Sequence, residues 1–388
     1  MKKMIVTVLS GGCILLAAAF TDQQVGRQSY AGEDSLRLYT DSIRRLYATG
    51  PAGWPAPAVD AGVKWQELGV LPEGPYPFGS REAKAVQPLI DLGRTLFFDI
   101  RLSGSKQISC ATCHVPDLSW TDGREKAVGH DQQTGSRNTP SLLNVWYYKD
   151  LFWDGRSSSL EDQAFNPIGN LKEMHSDMTL IPDELREIKG YAPLFDAAFG
   201  NHRITPEQIT RALAVFQRSI VSRKSDFDYW LLGQRQLDDA AVRGLHLFRT
   251  KARCMNCHNG PLFSDNAFHN IGLTYYGRLY EDLGRYNVTH KAEDVGKFKT
   301  PSLRDVMRTR PWMHNGLFDN IEGVINIYNA GGANPKRKPE QLNDTLFPVT
   351  DQRLRKLGLT KQEKQDIIAF LQAITTVPTK QRIPELPK

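Results

Sequence analysis

The chain has 388 residues, 40% of them hydrophobic and 24% charged, enough apolar material for two ordinary globular cores and too much for a disordered chain. Its net charge of +6 includes Lys2 and Lys3, and the remaining Lys and Arg are interspersed with Asp and Glu rather than gathered in a stripe. No nucleic-acid partner is expected from such a surface.

Met1-Lys2-Lys3 leads into an apolar run from Met4 to Phe20 with Ala17-Ala18-Ala19 near its end, the pattern of an export signal over residues 1–21. A retained membrane anchor is the rival reading, but the run is just short of the ~20 residues a bilayer needs and carries Gly11 and Gly12. Lipid attachment at Cys13 is disfavoured because Leu9 lies one position too far upstream and the apolar run continues beyond the cysteine. The mature protein is therefore expected in the periplasm. Residues 22–85 form an N-terminal extension with one expected helix, Leu36 to Tyr47, then a Pro/Gly-rich stretch whose role is not legible.

Beyond the signal, all four cysteines lie in two copies of one motif, Cys110-Ala111-Thr112-Cys113-His114 and Cys254-Met255-Asn256-Cys257-His258. The C-x-x-C-H spacing lets two thiols form thioethers with one haem while the adjoining histidine turns back to the iron. A zinc site, a redox dithiol or two local disulfides would use the cysteines, but none of them requires a histidine after both pairs. Two covalent haem c groups are expected, with His114 and His258 as iron ligands.

An internal repeat surrounds these motifs. Gly93-x-x-Leu96-Phe97 is echoed by Gly244-x-x-Leu247-Phe248, and Thr139-Pro140-Ser141-Leu142 by Thr300-Pro301-Ser302-Leu303. Pro140 to Gly155 and Pro301 to Gly316 are both fifteen steps, and Gly155 to Glu161 and Gly316 to Glu322 are both six. Two related domains follow, at 86–235 and 236–388. Apolar spacing predicts helices over Ile204 to Leu232, Ala240 to Phe248 and Thr360 to Ile374, with Thr205 and Thr360 as N-caps, Pro206 in a first turn and Glu363 closing a capping box. No run of alternating strands is present, so the expected fold is all-α: two cytochrome c-like haem domains behind an N-terminal extension.

Aligning Glu161 with Glu322 sets Pro167 opposite Tyr328. Proline cannot ligate iron and a phenolate can, so the first haem should keep an openable second face and the second should be closed by Tyr328. An anionic oxygen ligand stabilises oxidised iron, which predicts a low potential for the second haem. The alternative is that Tyr328 is an ordinary helix-face aromatic.

From about Leu89 to Thr376 the chain resembles the bacterial di-haem cytochrome c peroxidases and their relative MauG. The motifs that carry the resemblance are Leu92-Gly93-Arg94-x-Leu96-Phe97-Phe98-Asp99, Ser109-Cys110-x-x-Cys113-His114, Arg137-Asn138-Thr139-Pro140-Ser141, Phe152-Trp153-Asp154-Gly155-Arg156 and the region around His314. The resemblance implies that the first haem is the peroxide site, that the second stores and relays electrons, and that Trp153 lies between them. It places Gln163, Pro167 and Glu173 in the peroxide pocket, with Glu173 moving protons and Gln163 orienting the ligand. It makes Tyr328 similar to MauG, where typical peroxidases have methionine. It makes His130 a candidate cap on the first iron, and joins the Asn138 side chain with the Thr309 and Pro311 carbonyls in a calcium site.

On this resemblance the partners are hydrogen peroxide and a small periplasmic cytochrome c or copper protein as electron donor; a homodimer is also common in the family. A second reading replaces the donor by a partner protein whose Trp or Tyr is oxidised. A third, from another class, is a passive electron-transfer cytochrome, against which the Glu173 pocket argues.

Overall fold

The computed structural model describes residues 32–388; the export signal over 1–21 and Cys13 lie outside the described residues. Helices begin where the sequence offers a cap. Thr205 accepts the Gln208 N–H at 3.2 Å to start the Pro206–Arg218 helix, and Pro206 occupies a first turn where its missing N–H costs nothing. Thr360 accepts the Glu363 N–H at 3.2 Å while Glu363 Oε2 accepts the Thr360 N–H at 2.8 Å, a reciprocal cap on Lys361–Ala373. The extension helix spans Glu33–Leu46, and Asp239–Arg249 precedes the second cysteine motif.

The expected helix from Ile204 to Leu232 is corrected: the chain leaves the helix after Arg218 and re-enters one at Asp226–Leu231. Asn144 causes the break. Its N–H donates to the Ile220 carbonyl at 2.9 Å and its Oδ1 accepts the Ser222 N–H at 3.0 Å, so this backbone bonds a distant loop instead of the preceding turn. Ser225 and Asp228 then cap the restart. Among the described residues the only sheet is a two-residue antiparallel pair, Phe268–His269 with Phe298–Lys299.

Two helix pairs organise two cores. Arg81–Phe98 packs on Pro206–Arg218 around Leu92, Leu96, Phe97 and Phe216, and Asp239–Arg249 packs on Lys361–Ala373 around Leu245, Phe248, Ile367 and Phe370. Glycine makes both crossings close. A Cβ on Gly93 would stand 2.0 Å from the Ala212 carbonyl oxygen, and one on Gly244 would stand 1.9 Å from that of Asp366. The 85/86 division read from the sequence falls inside the Arg81–Phe98 helix.

The extension packs on the second core, to which it contributes Ile43, Tyr47, Trp54 and Leu68. Arg249, 1% exposed, lies 5.3 Å from the Tyr47 ring centroid and 5.0 Å from that of Trp54, donates to the Pro55 carbonyl at 2.8 Å and pairs with Glu67. Farther along, the Asp60 N–H donates to Asn256 Oδ1 at 2.8 Å and the Gln66 N–H to Asn259 Oδ1 at 3.1 Å. The extension thus straps the second cysteine motif. Met255 and Asn256 are buried beneath it, whereas Thr112 of the first motif is exposed.

Candidate functional site

Both cysteine motifs close on themselves in the same way. The His114 N–H donates to the Cys110 carbonyl at 2.9 Å, and the His258 N–H to that of Cys254 at 2.8 Å. Each imidazole then turns its Nδ1–H to a carbonyl, His114 to Trp120 and His258 to Phe263, at 3.0 Å in both cases. That bond fixes the tautomer and leaves Nε2 as the free ligand atom. Burial pushes both imidazoles below the ordinary histidine range, so they are neutral as iron ligation requires.

The four cysteines form no disulfide, and they line one continuous cavity with His114 and His258. Burial pushes the Cys110, Cys113 and Cys254 thiols up to about 12. Paired neutral thiols and a free imidazole Nε2 facing a largely apolar hollow fit covalently attached haem.

Two helices of matched design also line the cavity. Ser159 caps Leu160–Gly169 through the Asp162 N–H at 3.1 Å, and Asn320 caps Ile321–Ala330 through the Glu322 N–H at 2.9 Å. Pro167 and Tyr328 both lie seven residues beyond the first helical residue, and both line the cavity. Pro167 has no N–H and no ligating atom. Tyr328 presents a phenol that forms no hydrogen bond with any described residue, and burial pushes it above the ordinary phenol range.

Gln163 and Glu173 share the cavity wall with Pro167. Burial raises the Glu173 carboxyl above the ordinary glutamate range, against the opposing pull of Arg156 and of Asn170, whose Nδ2 donates to Oε1 at 2.7 Å. Arg156 is held over the Phe152 ring at 3.4 Å and bonds Asp154, as does Arg137 at 2.5 Å.

Trp153 joins the segments around Asn138 and Lys299. Its indole N–H donates to the Asn138 carbonyl at 2.9 Å, and its own carbonyl accepts the Lys299 N–H at 2.8 Å. His314, 3% exposed, stacks on Phe298 at 3.5 Å; burial pushes it down to about 3, and Nε2 has no partner among the described residues.

His130 is not in the cavity wall. Its ring meets His175 edge to face at 4.4 Å, its Nε2 lies 3.3 Å from Asp131, and its backbone N–H donates to the Glu173 carbonyl at 2.8 Å. Asn138, Thr309 and Pro311 all line the cavity; the Asn138 amide donates to the Arg124 carbonyl at 2.8 Å, which turns Oδ1 away as the available acceptor.

The sequence reading missed His269. Burial opposes its charge, but Asp265 and Asp351 accept from its two ring nitrogens at 2.8 and 2.7 Å and raise it to about 11. The partners lie 4 residues upstream and 82 downstream, so spacing reveals half of the constellation at most.

Two C-x-x-C-H imidazoles on one cavity, whose wall also holds Pro167, the half-buried Glu173 and Tyr328, define a c-type cytochrome with two haem centres. The chain belongs to the di-haem cytochrome c peroxidase family, which its residues 87–236 match, and it is an oxidoreductase of the cytochrome-c peroxidase type. It is 40% identical to the methylamine utilization protein MauG of Methylorubrum extorquens over 302 residues, 77% of this chain and 81% of that protein. It is 35% identical to cytochrome-c peroxidase IdrP1 of Denitromonas iodatirespirans over 377 residues, 89% of this chain and 96% of that one. Among solved structures, a MauG-like protein associated with microbial copper homeostasis superposes with a TM-score of 0.67 at 30% identity, over 82% of this chain and 93% of that chain. Among the described residues no helix is long and apolar enough to cross a membrane.

Proposed function

We propose that this protein reduces hydrogen peroxide to water in the periplasm at the His114 site, with electrons delivered through the His258 site by a small cytochrome c or copper protein. The observation that carries the reading is an asymmetry in the cavity wall: matched helix positions hold Pro167, which has no ligating atom, and Tyr328, which has one. In this reading the domains at 86–235 and 236–388 are related by the internal repeat. Cys110 and Cys113 hold one haem and Cys254 and Cys257 the other, with His114 and His258 on the irons; once bound, the haems supply the redox centres for peroxide and for stored electrons.

The protein's own groups supply the rest. Glu173 removes a proton from the incoming peroxide oxygen and returns one to the departing oxygen, work for which a carboxyl raised by burial is suited. Gln163 orients the ligand by hydrogen bonding. Trp153 joins the two centres without surrendering its indole proton, because a backbone carbonyl is no base. Asn138 Oδ1 with the Thr309 and Pro311 carbonyls offers the all-oxygen set that suits calcium.

A second reading, oxidation of Trp or Tyr residues in a partner protein, is favoured by Tyr328 and by the turning of His130 onto His175, which keeps the first site clear. The test is to mix the fully ferric, haem-loaded protein with one equivalent of hydrogen peroxide and follow the Soret and near-infrared absorbance. A fast, long-lived change supports an open first site, Tyr328 ligation and the second reading. Reaction only after the second haem is reduced returns His130 to the first iron and leaves the peroxidase reading alone.

A further inference from the structure

The Leu160–Gly169 helix ends at Asn170, which bonds Glu173 through both its backbone carbonyl and its side chain. The Asn170 carbonyl accepts the Glu173 and His175 N–H groups, both at 3.0 Å. Its side-chain Oδ1 accepts the Lys172 N–H at 3.0 Å, and its Nδ2 donates to Glu173 Oε1 at 2.7 Å. The amide is not free to flip: a backbone N–H can only donate, so the oxygen must face Lys172 and the nitrogen must face the carboxylate.

The backbone of Glu173 is also pinned from the other side. The His130 N–H donates to its carbonyl at 2.8 Å, and Gly129 lies so close that a Cβ there would stand 2.8 Å from the Glu173 Cα. What remains is side-chain rotation. Glu173 and Arg156 line the haem cavity and also a second, solvent-open pocket formed with Ser136, Asn166 and Asn170. Asn170 is exposed and lines only the open pocket, so its amide anchors Oε1 on that side and stops the carboxylate rotating freely between the two pockets.

We propose that Asn170 is the positioning residue of the peroxide site: it holds Glu173 Oε1 at the boundary of the two pockets so that Oε2 faces the incoming ligand. The inference rests on Glu173 being the proton-transfer group. Misplacing such a group by about 1 Å costs on the order of 100-fold in rate, so the effect is readable.

The experiment uses the haem-loaded, fully ferric protein and three variants, Asn170→Asp, Asn170→Ala and Glu173→Gln. Two second-order rate constants are measured, for hydrogen peroxide and for cyanide binding, which also requires a proton to leave the ligand, together with the melting temperature. Asp keeps the acceptor for the Lys172 N–H, and therefore the turn, but cannot donate to Glu173. The expected result is that Asn170→Asp and Asn170→Ala both slow the two reactions about 10- to 100-fold, with melting of the Asp variant near that of the parent. Parent rates in Asn170→Asp, whatever Asn170→Ala does, reduce Asn170 to a turn-former and overturn the proposal. Parent rates in Glu173→Gln overturn instead the reading of Glu173 on which it rests.

Discussion

Trp153 and His314 meet edge to face with ring centroids 6.4 Å apart, and the carbonyl of each accepts a backbone N–H, from Lys299 and Asn138 respectively, at 2.8 Å. One offset relates the partners, since 314 minus 153 and 299 minus 138 are both 161. Phe152 and Met313 share that offset and adopt positive φ values of 64° and 70°. So do the bridges Leu151 to Ser157 and Trp312 to Phe318, each closed by a 2.7 Å bond. Such reciprocal contact is what a two-fold interface produces between identical subunits; here it operates within one chain, between segments 138–157 and 299–318, each aromatic loop anchored on the other segment.

Replacing Trp153 by Phe therefore tests communication with little cost to folding. The backbone bonds persist, and loss of the indole N–H bond to Asn138 should cost about 1 kcal/mol. After peroxide addition, the second haem should respond at least tenfold more slowly, as followed by stopped-flow absorbance. An unchanged rate would remove Trp153 from the path.

If Tyr328 ligates the second iron as a phenolate, as proposed, Tyr328→Met exchanges an anionic oxygen for a neutral thioether. Methionine favours reduced iron relative to phenolate, so spectroelectrochemical titration should find the potential of the second haem raised by more than the ~59 mV that marks a tenfold change for one electron. If the potential does not move, Tyr328 is a helix-face aromatic and nothing more.

Much of this was legible because it is local or repeated. Cys110 to His114 and Cys254 to His258 each carry their chemistry within five residues, and the pairing of Pro167 with Tyr328 follows from counting along two copies. Thr205 and Thr360 announce their helices through capping chemistry. What the sequence hid depends on distant partners. The break after Arg218 is caused by Asn144, His269 meets Asp351 from 82 residues away, and the extension is explained by Arg249. His130 could be located from its spacing, but not the direction of its ring, which His175 receives.

Gly93→Ala and Gly244→Ala test the matched helix crossings. Both Cβ atoms would press a carbonyl oxygen, at 2.0 and 1.9 Å, and a phenylalanine Cβ, at 2.7 and 2.8 Å. The helices must separate, and overpacking of this kind costs about 1–3 kcal/mol. Comparable losses by denaturant melting are expected; a neutral result for either one would show that its crossing relaxes freely.

Acid stability should depend on Asp99. Burial opposes its ionisation, yet Arg101 at 2.6 Å and the Tyr191 hydroxyl at 2.5 Å hold the carboxyl below its ordinary value of 3.8. A depressed carboxyl contributes stability above pH 3.8 that disappears as pH falls through the folded value. Tyr191→Phe lifts the folded value, so acid unfolding should begin at higher pH, with a loss at neutral pH of about 1.5–3 kcal/mol for a bond to a charged group. Coincident acid transitions in the two proteins would count against this assignment.

The extension offers the last test. Arg249 is buried against Tyr47 and Trp54, and Glu67 is its carboxylate partner. Glu67→Gln leaves the guanidinium buried with a neutral acceptor, and breaking a buried pair costs up to about 3–5 kcal/mol; because Glu67 retains 20% exposure, a loss near the lower end is expected. The position of the loss is the sharper readout. Asp60 and Gln66 donate to Asn256 and Asn259, so hydrogen exchange should accelerate in residues 55–71 and around Cys257, while the Leu92 to Phe97 core stays protected. Uniform acceleration across both cores would mean that the extension stabilises the whole molecule rather than strapping the second haem motif.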